Sequence, residues 1–491
     1  MKFLIDTNII VPLEPGLISD FEINTDHALE FHRLTQKSGN TVYVHPAIEF
    51  DLKRDKNTER STLRKKLIHR YEMIESPPPL SLLQKEQVGD PIQGSNDYVD
   101  NCLLASVKGD AVDFLVTEDK KLHRKAQKSG LESRVFFLQD AITLLLDLFD
   151  KSPPPPPSVK KVFVYELNEK DPIFSSLRQD YYPNFDNWLK KCKRDHREAY
   201  IIFNEKIGRL SGVCIIKKEE GIPEISVGKT LKLCTFKISE MEFGKRYGEL
   251  LFKTVFDYAD NNNYHYIYFT AFPKQDDLIA FSESFGFMVS TKRINVDELV
   301  VYKVLIYSSE DVAKFSPLEF NIKYGPRRIL FKQNNSFLVP IKPIFHAALF
   351  PELESQIPIF HETRPCGNSI KKAYLCHSPN KHINSGDNIF FYRSEDVKGI
   401  TAIGSVEDLL RTENPNAIAR HVGSRTVYSY DSIAEFCKKP TLAIRFRYVK
   451  GLETPIRLIE LKKSGVIKGA PQSIMKVKQE GVEWIKKRLN M

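Results

Sequence analysis

The sequence predicts a multidomain chain of α/β and α+β class: an N-terminal α/β domain on a parallel sheet, a central α/β domain and a C-terminal β-barrel. Three observations carry this. First, 491 residues are too many for one core, since a domain averages roughly 150. Second, residues 151–158 read KSPPPPPS. Consecutive prolines lack the amide hydrogens that helix and central strand require, and they favour polyproline II. Third, before that run short apolar stretches (FLI at 3–5, VYV at 42–44, FFL at 136–138) alternate with helical patterns, the rhythm of a parallel sheet covered by helices.

The proline run marks a semi-rigid linker over 151–159, with the first domain at 1–150. Beyond it VFVYEL, AYIIF, SGVCII and IYFTAF read as strands, and a helix runs from about Gly244 to Asn261. These define a central domain at 160–310. A third region, 311–491, is rich in short strands: RILF, NIFFYRS, GITAIGSV and TLAIRFRYV.

Composition narrows the class. A 42% hydrophobic and 27% charged chain fits a soluble globular protein. No apolar run reaches the 18 residues needed to span a bilayer, so a membrane partner is not expected. The start MKFLIDTNII does not read as a secretory signal. Seven cysteines without a C-x-x-C pair point to a reducing cytoplasm rather than a disulfide scaffold. The net charge of +9 suits an anionic partner. Residues 451–491 carry nine Lys or Arg against four Glu; a solvated helix face and a phosphate-facing patch both remain open there.

The N-terminal acids fall in a telling pattern. Asp6 ends the strand 3–5, and Asp119 follows the strand Phe114-Leu115-Val116-Thr117. Ligands of parallel sheets collect at the carboxyl ends of the strands, so both acids belong to one crevice. Glu49 rides early on a helix begun by Pro46. Asp100 shares a helical face with Leu103, Leu104 and Val107, where an unpaired charge is costly and a cation is expected. Carboxylates with no lysine or histidine among them suit Mg2+ or Mn2+. Such an ion activates water and neutralises charge on a phosphate.

In order and spacing, FLIDTNI, AIEFDL, DYVDNCLLA and DFLVTEDKKLHRKA resemble the PIN-domain family of nucleases, over residues 1–145. The resemblance implies Asp6, Glu49, Asp100 and Asp119 as catalytic, metal-binding residues, with Thr7, Asn8 and Thr117 in support. Asp97 is either a further ligand or a helix-start acid.

The central region presents strand LKLCTF (231–236), turn EFGKRYG (242–248), helix ELLF (249–252), strand YIYFT (266–270) and the ending AFSESFGF (280–287). A glycine-bearing turn at a helix start offers free amides and a dipole to a pyrophosphate. This order resembles the GNAT family of acetyl-CoA-dependent N-acetyltransferases, which implies acetyl-CoA at Gly244, Lys245, Arg246, Tyr247 and Gly248. The family's turn reads Gln/Arg-x-x-Gly-x-Gly/Ala. Here Phe243 replaces the leading polar residue, Arg246 replaces the first glycine, and Ser282 stands where the family often places a general-acid tyrosine. Lys245 and Arg246 are placed to contact phosphate themselves. No base can be named from the sequence, although Glu224 and Glu240 lie within reach of this turn.

In the third region INSGDNIFFYRS (383–394) and GITAIGSV (399–406) resemble the PUA-like barrels, including the ASCH and EVE families; a glycine in a crossing strand lets a small barrel bend. The resemblance implies RNA or modified-base binding. Tyr392, Arg393, Arg425, Tyr428, Arg445 and Arg447 are the candidate stacking and phosphate contacts. The ASCH signature Gly-x-Lys-x-x-Glu-x-Arg is absent, although Lys371 and Lys372 stand nearby. The leading expectation is a metal-dependent endoribonuclease whose partners are RNA and a protein antitoxin or regulator. An N-acetyltransferase and a non-catalytic RNA- or partner-binding regulator are the alternatives.

Overall fold

The computed structural model describes residues 1–13, 24–54, 68, 70–149, 157–181, 183–242, 244–292, 297–331, 334–354 and 365–489. Most of the proline run and Phe243 lie outside the described residues. Two compact units form: residues 1–153 with 412–424 and 428–440, and residues 154–411 with 425–427 and 441–491. Among the described residues no helix is long and apolar enough to cross a membrane.

The first unit holds five strands: β1 (Lys2–Ile5), β2 (Thr41–Val44), β3 (Glu72–Met73), β4 (Phe114–Val116) and β5 (Val135–Phe136), in the order β3-β2-β1-β4-β5. Every pairing is parallel. Phe3, Leu4, Ile5, Phe114, Leu115 and Val116 are fully buried, as expected for a sheet covered on both faces. Chain direction across the sheet reverses between β1 and β4, so their carboxyl ends form the switch point where such sheets bind ligands. The helices Pro415–Val422 and Tyr430–Phe436 belong to this unit as well. Arg420 pairs there with Asp110 at 3.2 Å and Asp113 at 3.1 Å, and Tyr430 packs on Phe149 at 5.3 Å.

The second unit contains two sheets. One has seven strands: β6 (Val159–Phe163), β7 (Glu198–Asn204), β8 (Arg209–Ile222), β9 (Ser226–Ile238), β10 (Tyr266–Ala271), β11 (Met288–Val289) and β12 (Leu299–Val304). Their order is β11-β12-β10-β9-β8-β7-β6. All pairings are antiparallel except β9 with β10. The helix Tyr247–Asn261 lays Leu251, Phe252, Val255, Phe256 and Ala259 on this sheet, an i, i+4, i+8 stripe of the amphipathic kind.

The other sheet has β13 (Ser336–Ile341), β14 (Lys371–Cys376), β15 (Asn388–Arg393), β16 (Gly399–Thr412), β17 (Thr441–Arg457) and β18 (Met475–Lys476), in the order β14-β17-β16-β15-β13-β18. The expected barrel is therefore corrected: among the described residues the strands form an open order with β14 and β18 at its edges. The expected strand RILF is also absent. Its backbone carbonyls are met by side-chain amides instead, Arg328 by Asn321 at 2.9 Å and Leu330 by Asn388 at 2.7 Å.

Gly286 shows how tightly the segment after β12 is seated. It sits at φ +82°, and a Cβ there would lie 2.0 Å from the carbonyl oxygen of Ile322. The Lys303 ammonium beside it is fully buried and donates to the carbonyls of Phe285 (2.8 Å), Ile322 (2.9 Å) and Lys323 (2.7 Å). Gly286→Ala is accordingly expected to destabilise this unit by at least about 2 kcal/mol, from backbone strain and a displaced helix end. Urea unfolding of the full chain checks this; a variant within 0.5 kcal/mol (about the scatter of neutral substitutions) would show that the helix simply moves aside.

Candidate functional site

At the switch point Asp6 is buried and both of its oxygens are engaged. Oδ2 accepts from Thr117 Oγ1 at 2.7 Å and Asn8 Nδ2 at 2.8 Å, and Oδ1 accepts from the Thr7 amide at 2.6 Å. Thr117 Oγ1 in turn accepts from the Asp119 amide at 3.0 Å. Thr7, Asn8 and Thr117 thus all hydrogen-bond Asp6. Asp119 caps the helix Lys120–Lys128, accepting from the amides of Lys121 at 2.7 Å and Leu122 at 3.3 Å, the usual service of an N-cap aspartate.

Burial raises the Asp6 carboxyl to about 6, and the charges of Asp100 and Asp51 push the same way. Asp100 is raised by burial too, with contributions from Asp119 and Asp97. Asp6, Asp51, Asp97, Asp100 and Asp119 therefore share one electrostatic environment. Glu49 is exposed on the helix Ile48–Lys53. Asp51, two residues on, is the acid that accepts from Thr7 Oγ1 at 2.8 Å. Sequence reasoning passed over it; its signal was a second acid on the same short helix.

One expectation is overturned here. The acids are not free of lysine: Lys125 Nζ reaches Asp97 at 2.7 Å and Asp100 at 3.0 Å. The cation that the buried face of Asp100 required is this ammonium. Among the described residues no three His, Cys, Asp or Glu side chains converge closely enough to hold a metal ion. As arranged, Lys125 is paired with two of these acids and both Asp6 oxygens are hydrogen-bonded within the protein, so a site for Mg2+ or Mn2+ is not shown here.

In the second unit, β9 and β10 pair in parallel only at Thr230–Tyr266, Leu231–Ile267 and Lys232–Tyr268. Beyond these pairs β10 continues on β12, through Phe269–Val301 to Ala271–Leu299. β9 continues on β8 and bulges at Cys234, since Leu233 and Thr235 oppose the adjacent residues Ile216 and Ile215. A bulge sharpens strand twist, so the two parallel strands part where β9 approaches its end. The turn after β9 has Gly244 at φ +84° and Arg246 in the left-handed region at φ 59°, ψ 25°. Arg246 then starts the helix Tyr247–Asn261 with no side-chain cap bond.

Both cations of the turn have carboxylate partners. Lys245 is paired with the buried Glu242, which also accepts from Ser211 Oγ at 2.9 Å and Asn204 Nδ2 at 3.2 Å. Burial alone would raise the Glu242 carboxyl, but Lys245, Asn204 and Ser211 hold it below its ordinary value. Arg246 lies 3.6 Å from Glu249. Gly248 packs closely on Phe281: a Cβ there would stand 3.2 Å from the ring, a tight approach that the ring would have to yield to.

Neither Ser282 nor Glu224 is placed for catalysis. Ser282 is fully buried and donates to the Leu278 carbonyl at 2.7 Å, so it cannot stand in for an acid at the site. Glu224 lies in the β8–β9 turn, at the far end of a strand of 13 residues, or roughly 40 Å. Glu240 does lie beside the 242–248 turn, exposed and 3.9 Å from Lys237.

The third-region contacts are also redistributed. Tyr392 and Tyr428 are buried, 1% and 2% exposed, which removes them as stacking platforms. Arg393 is held by Glu354 and Asp396, at 2.5 Å and 2.7 Å. Arg425, Arg445 and Arg447 gather around Glu407.

Residues 162–287 match the Acetyltransferase (GNAT) family, and residues 373–488 match the EVE domain. The chain carries a GNAT domain and an EVE domain. Among solved structures, the ASCH protein of Zymomonas mobilis is 15% identical, over 31% of this chain and 94% of that one, with a TM-score of 0.25. A GNAT family acetyltransferase from Elizabethkingia anophelis, solved with acetyl-CoA bound, is 13% identical, over 30% of this chain and 98% of that one, with a TM-score of 0.22. No curated protein is similar enough to count as a match. Both family matches lie C-terminal to the acidic crevice and leave it to be judged on its own geometry. The GNAT match spans the parted strands and the turn, and the EVE match spans most of the sheet that carries Glu407.

The raised Asp6 carboxyl sets a pH signature in stability. Its folded value, about 6, exceeds the ordinary 3.8. Ionising it therefore costs stability: the penalty is absent below about pH 4, grows as pH rises and is complete above about 6. Asp6→Asn should stabilise the first unit at pH 7 by on the order of 2–3 kcal/mol, with the gain gone at pH 4. Urea unfolding at both pH values decides; a variant no more stable at pH 7 would mean that the hydrogen bonds, not burial, dominate.

Proposed function

We propose that the GNAT domain binds an acyl-coenzyme A at the 242–248 turn and transfers its acyl group to an amine, making this chain a transferase. The EVE domain is proposed to bring RNA to it. On this reading residues 1–150, 160–310 and 311–491 are the three functional segments. The observation that carries it is the parting of β9 and β10 beside a helix start that has no side-chain cap. The free amides of a helix start and its dipole suit a pyrophosphate, and Lys245 and Arg246 add positive charge beside them. Coenzyme A supplies the activated thioester. In the transfer the acyl C–S bond breaks, a C–N bond forms, and the proton lost by the amine balances the released thiol.

Calorimetry with acetyl-CoA tests this. Wild type is expected to bind. Arg246→Glu, which sets a negative charge at the phosphate position, should weaken binding at least about tenfold, or about 1.4 kcal/mol. No heat from wild type would remove the transferase reading.

A second reading is RNA cleavage in the acidic crevice, with Asp6, Glu49, Asp100 and Asp119 as its residues. It is favoured by a buried, raised carboxyl at the sheet's switch point, a common property of functional acids. Because Lys125 already pairs with Asp97 and Asp100, an ion would first have to displace that ammonium. Total RNA incubated with the protein, with and without Mg2+ or Mn2+, is expected to be cut by wild type and left intact by Asp6→Asn and Asp100→Asn. Equal cutting by all three would exclude the crevice.

A further inference from the structure

Seven charged side chains meet where the start of the helix Tyr247–Asn261 faces the sheet of the EVE region. Glu407 on β16 pairs with Lys371 at 3.9 Å, Arg425 at 3.5 Å, Arg445 at 3.4 Å and Arg447 at 3.6 Å. Glu249 pairs with Arg246 and accepts from the amides of Ile370 at 2.8 Å and Lys371 at 3.3 Å. Five cations thus face two carboxylates, an excess of three positive charges. Their side chains are only 2% to 23% exposed.

Buried surplus charge of one sign is unfavourable unless something answers it. Burial pushes Lys371 down to about 8 and Arg425 down to about 10. Burial alone would raise Glu407, yet the surrounding cations hold it at about 2. The donors are not used up either. The Nε atoms of Arg445 and Arg447 are buried without a hydrogen-bond partner, and Arg447 is 2% exposed. The Phe285 ring forms one wall, 5.5 Å from Lys371 Nζ and 5.7 Å from the Arg447 guanidinium. Planar guanidinium forks with spare N–H groups match the oxygens of a phosphate.

We propose that this cluster is an anion site that takes a phosphate-bearing ligand against Lys371, Arg425, Arg445 and Arg447. It rests on charge and hydrogen-bond arrangement, and it stands whether or not the GNAT domain transfers an acyl group. A phosphate dianion would offset most of the surplus and supply acceptors for the two unmet Nε donors. Two sources share this chemistry: the 5′-phosphate of an RNA and the 3′-phosphate of coenzyme A.

The test uses the full chain in chloride buffer and reads binding by calorimetry and stability by thermal unfolding. The probes are inorganic phosphate, coenzyme A against its 3′-dephospho form, and a short RNA with and without a 5′-phosphate. At least one probe should bind in a phosphate-dependent way, and Arg445→Gln should weaken that binding at least fivefold. Glu407→Gln, which raises the surplus by one charge, should tighten it at least fivefold. That variant should also melt lower than wild type without phosphate and recover when phosphate is added. The pair of compounds whose phosphate matters names the source. Absence of phosphate-dependent binding across all probes overturns the proposal. So does phosphate-dependent binding that Arg445→Gln leaves unchanged, or a Glu407→Gln defect that phosphate does not repair. Arg445→Lys, which keeps the charge and loses the fork, serves if Arg445→Gln does not fold; unchanged phosphate binding by it overturns the site in the same way.

Discussion

A charge taken out of water has to be met by opposite charge or by hydrogen bonds, and in the larger unit that requirement joins two sheets. The Lys303 ammonium on β12 is satisfied by carbonyls of Phe285, Ile322 and Lys323. Glu249 in the helix of the GNAT domain is satisfied by amides at the start of β14. Lys253 on the same helix reaches Glu352 at 3.1 Å and the Gly367 carbonyl at 3.3 Å, while Lys372 bonds the carbonyls of Cys366 and Gly367. Removing any one partner leaves a buried group unanswered, so the two sheets are held by obligation as well as by apolar packing. This accounts for a single compact unit that holds the GNAT region together with the EVE region apart from residues 412–424 and 428–440.

The same requirement shapes the candidate sites in opposite ways. In the acidic crevice it has been met from within: Thr117, Asn8 and the Thr7 amide answer Asp6, and Lys125 answers Asp100. Around Glu407 it has been met only in part, leaving surplus cations and idle arginine donors. A crevice closed by its own partners resists a new ligand until one partner moves. A cluster with unmet donors invites one. At the turn after β9 the carboxylates Glu242 and Glu249 hold Lys245 and Arg246, so the cations stand beside the helix start while its amides have no side-chain cap.

Local patterns therefore carry local features well. Asp6 directly after β1 and Asp119 shortly after β4 were legible as neighbours, because parallel strands present their carboxyl ends on one edge. The turn at 242–248 and the glycine ending at 286–287 were legible because helix starts and positive-φ positions demand particular residues. The Lys125 contact was not, although it lies on the helix that Asp119 caps. Its partners are 25 and 28 residues earlier, and helical spacing says nothing about which distant carboxylate a lysine will meet.

By itself the sequence determined the alternation of strand and helix, the parallel character of the first sheet, the strand–acid junctions and the central turn. All of these follow from hydropathy period and backbone preference over a few residues. Only the tertiary structure decided that the last strands stay in an open order, that residues 412–424 and 428–440 join the first unit, and that Arg425, Arg445 and Arg447 surround a carboxylate instead of facing solvent. Those outcomes depend on how finished elements dock. Docking is governed by burial of charge between residues as far apart as Glu249 and Lys371, which no local pattern encodes.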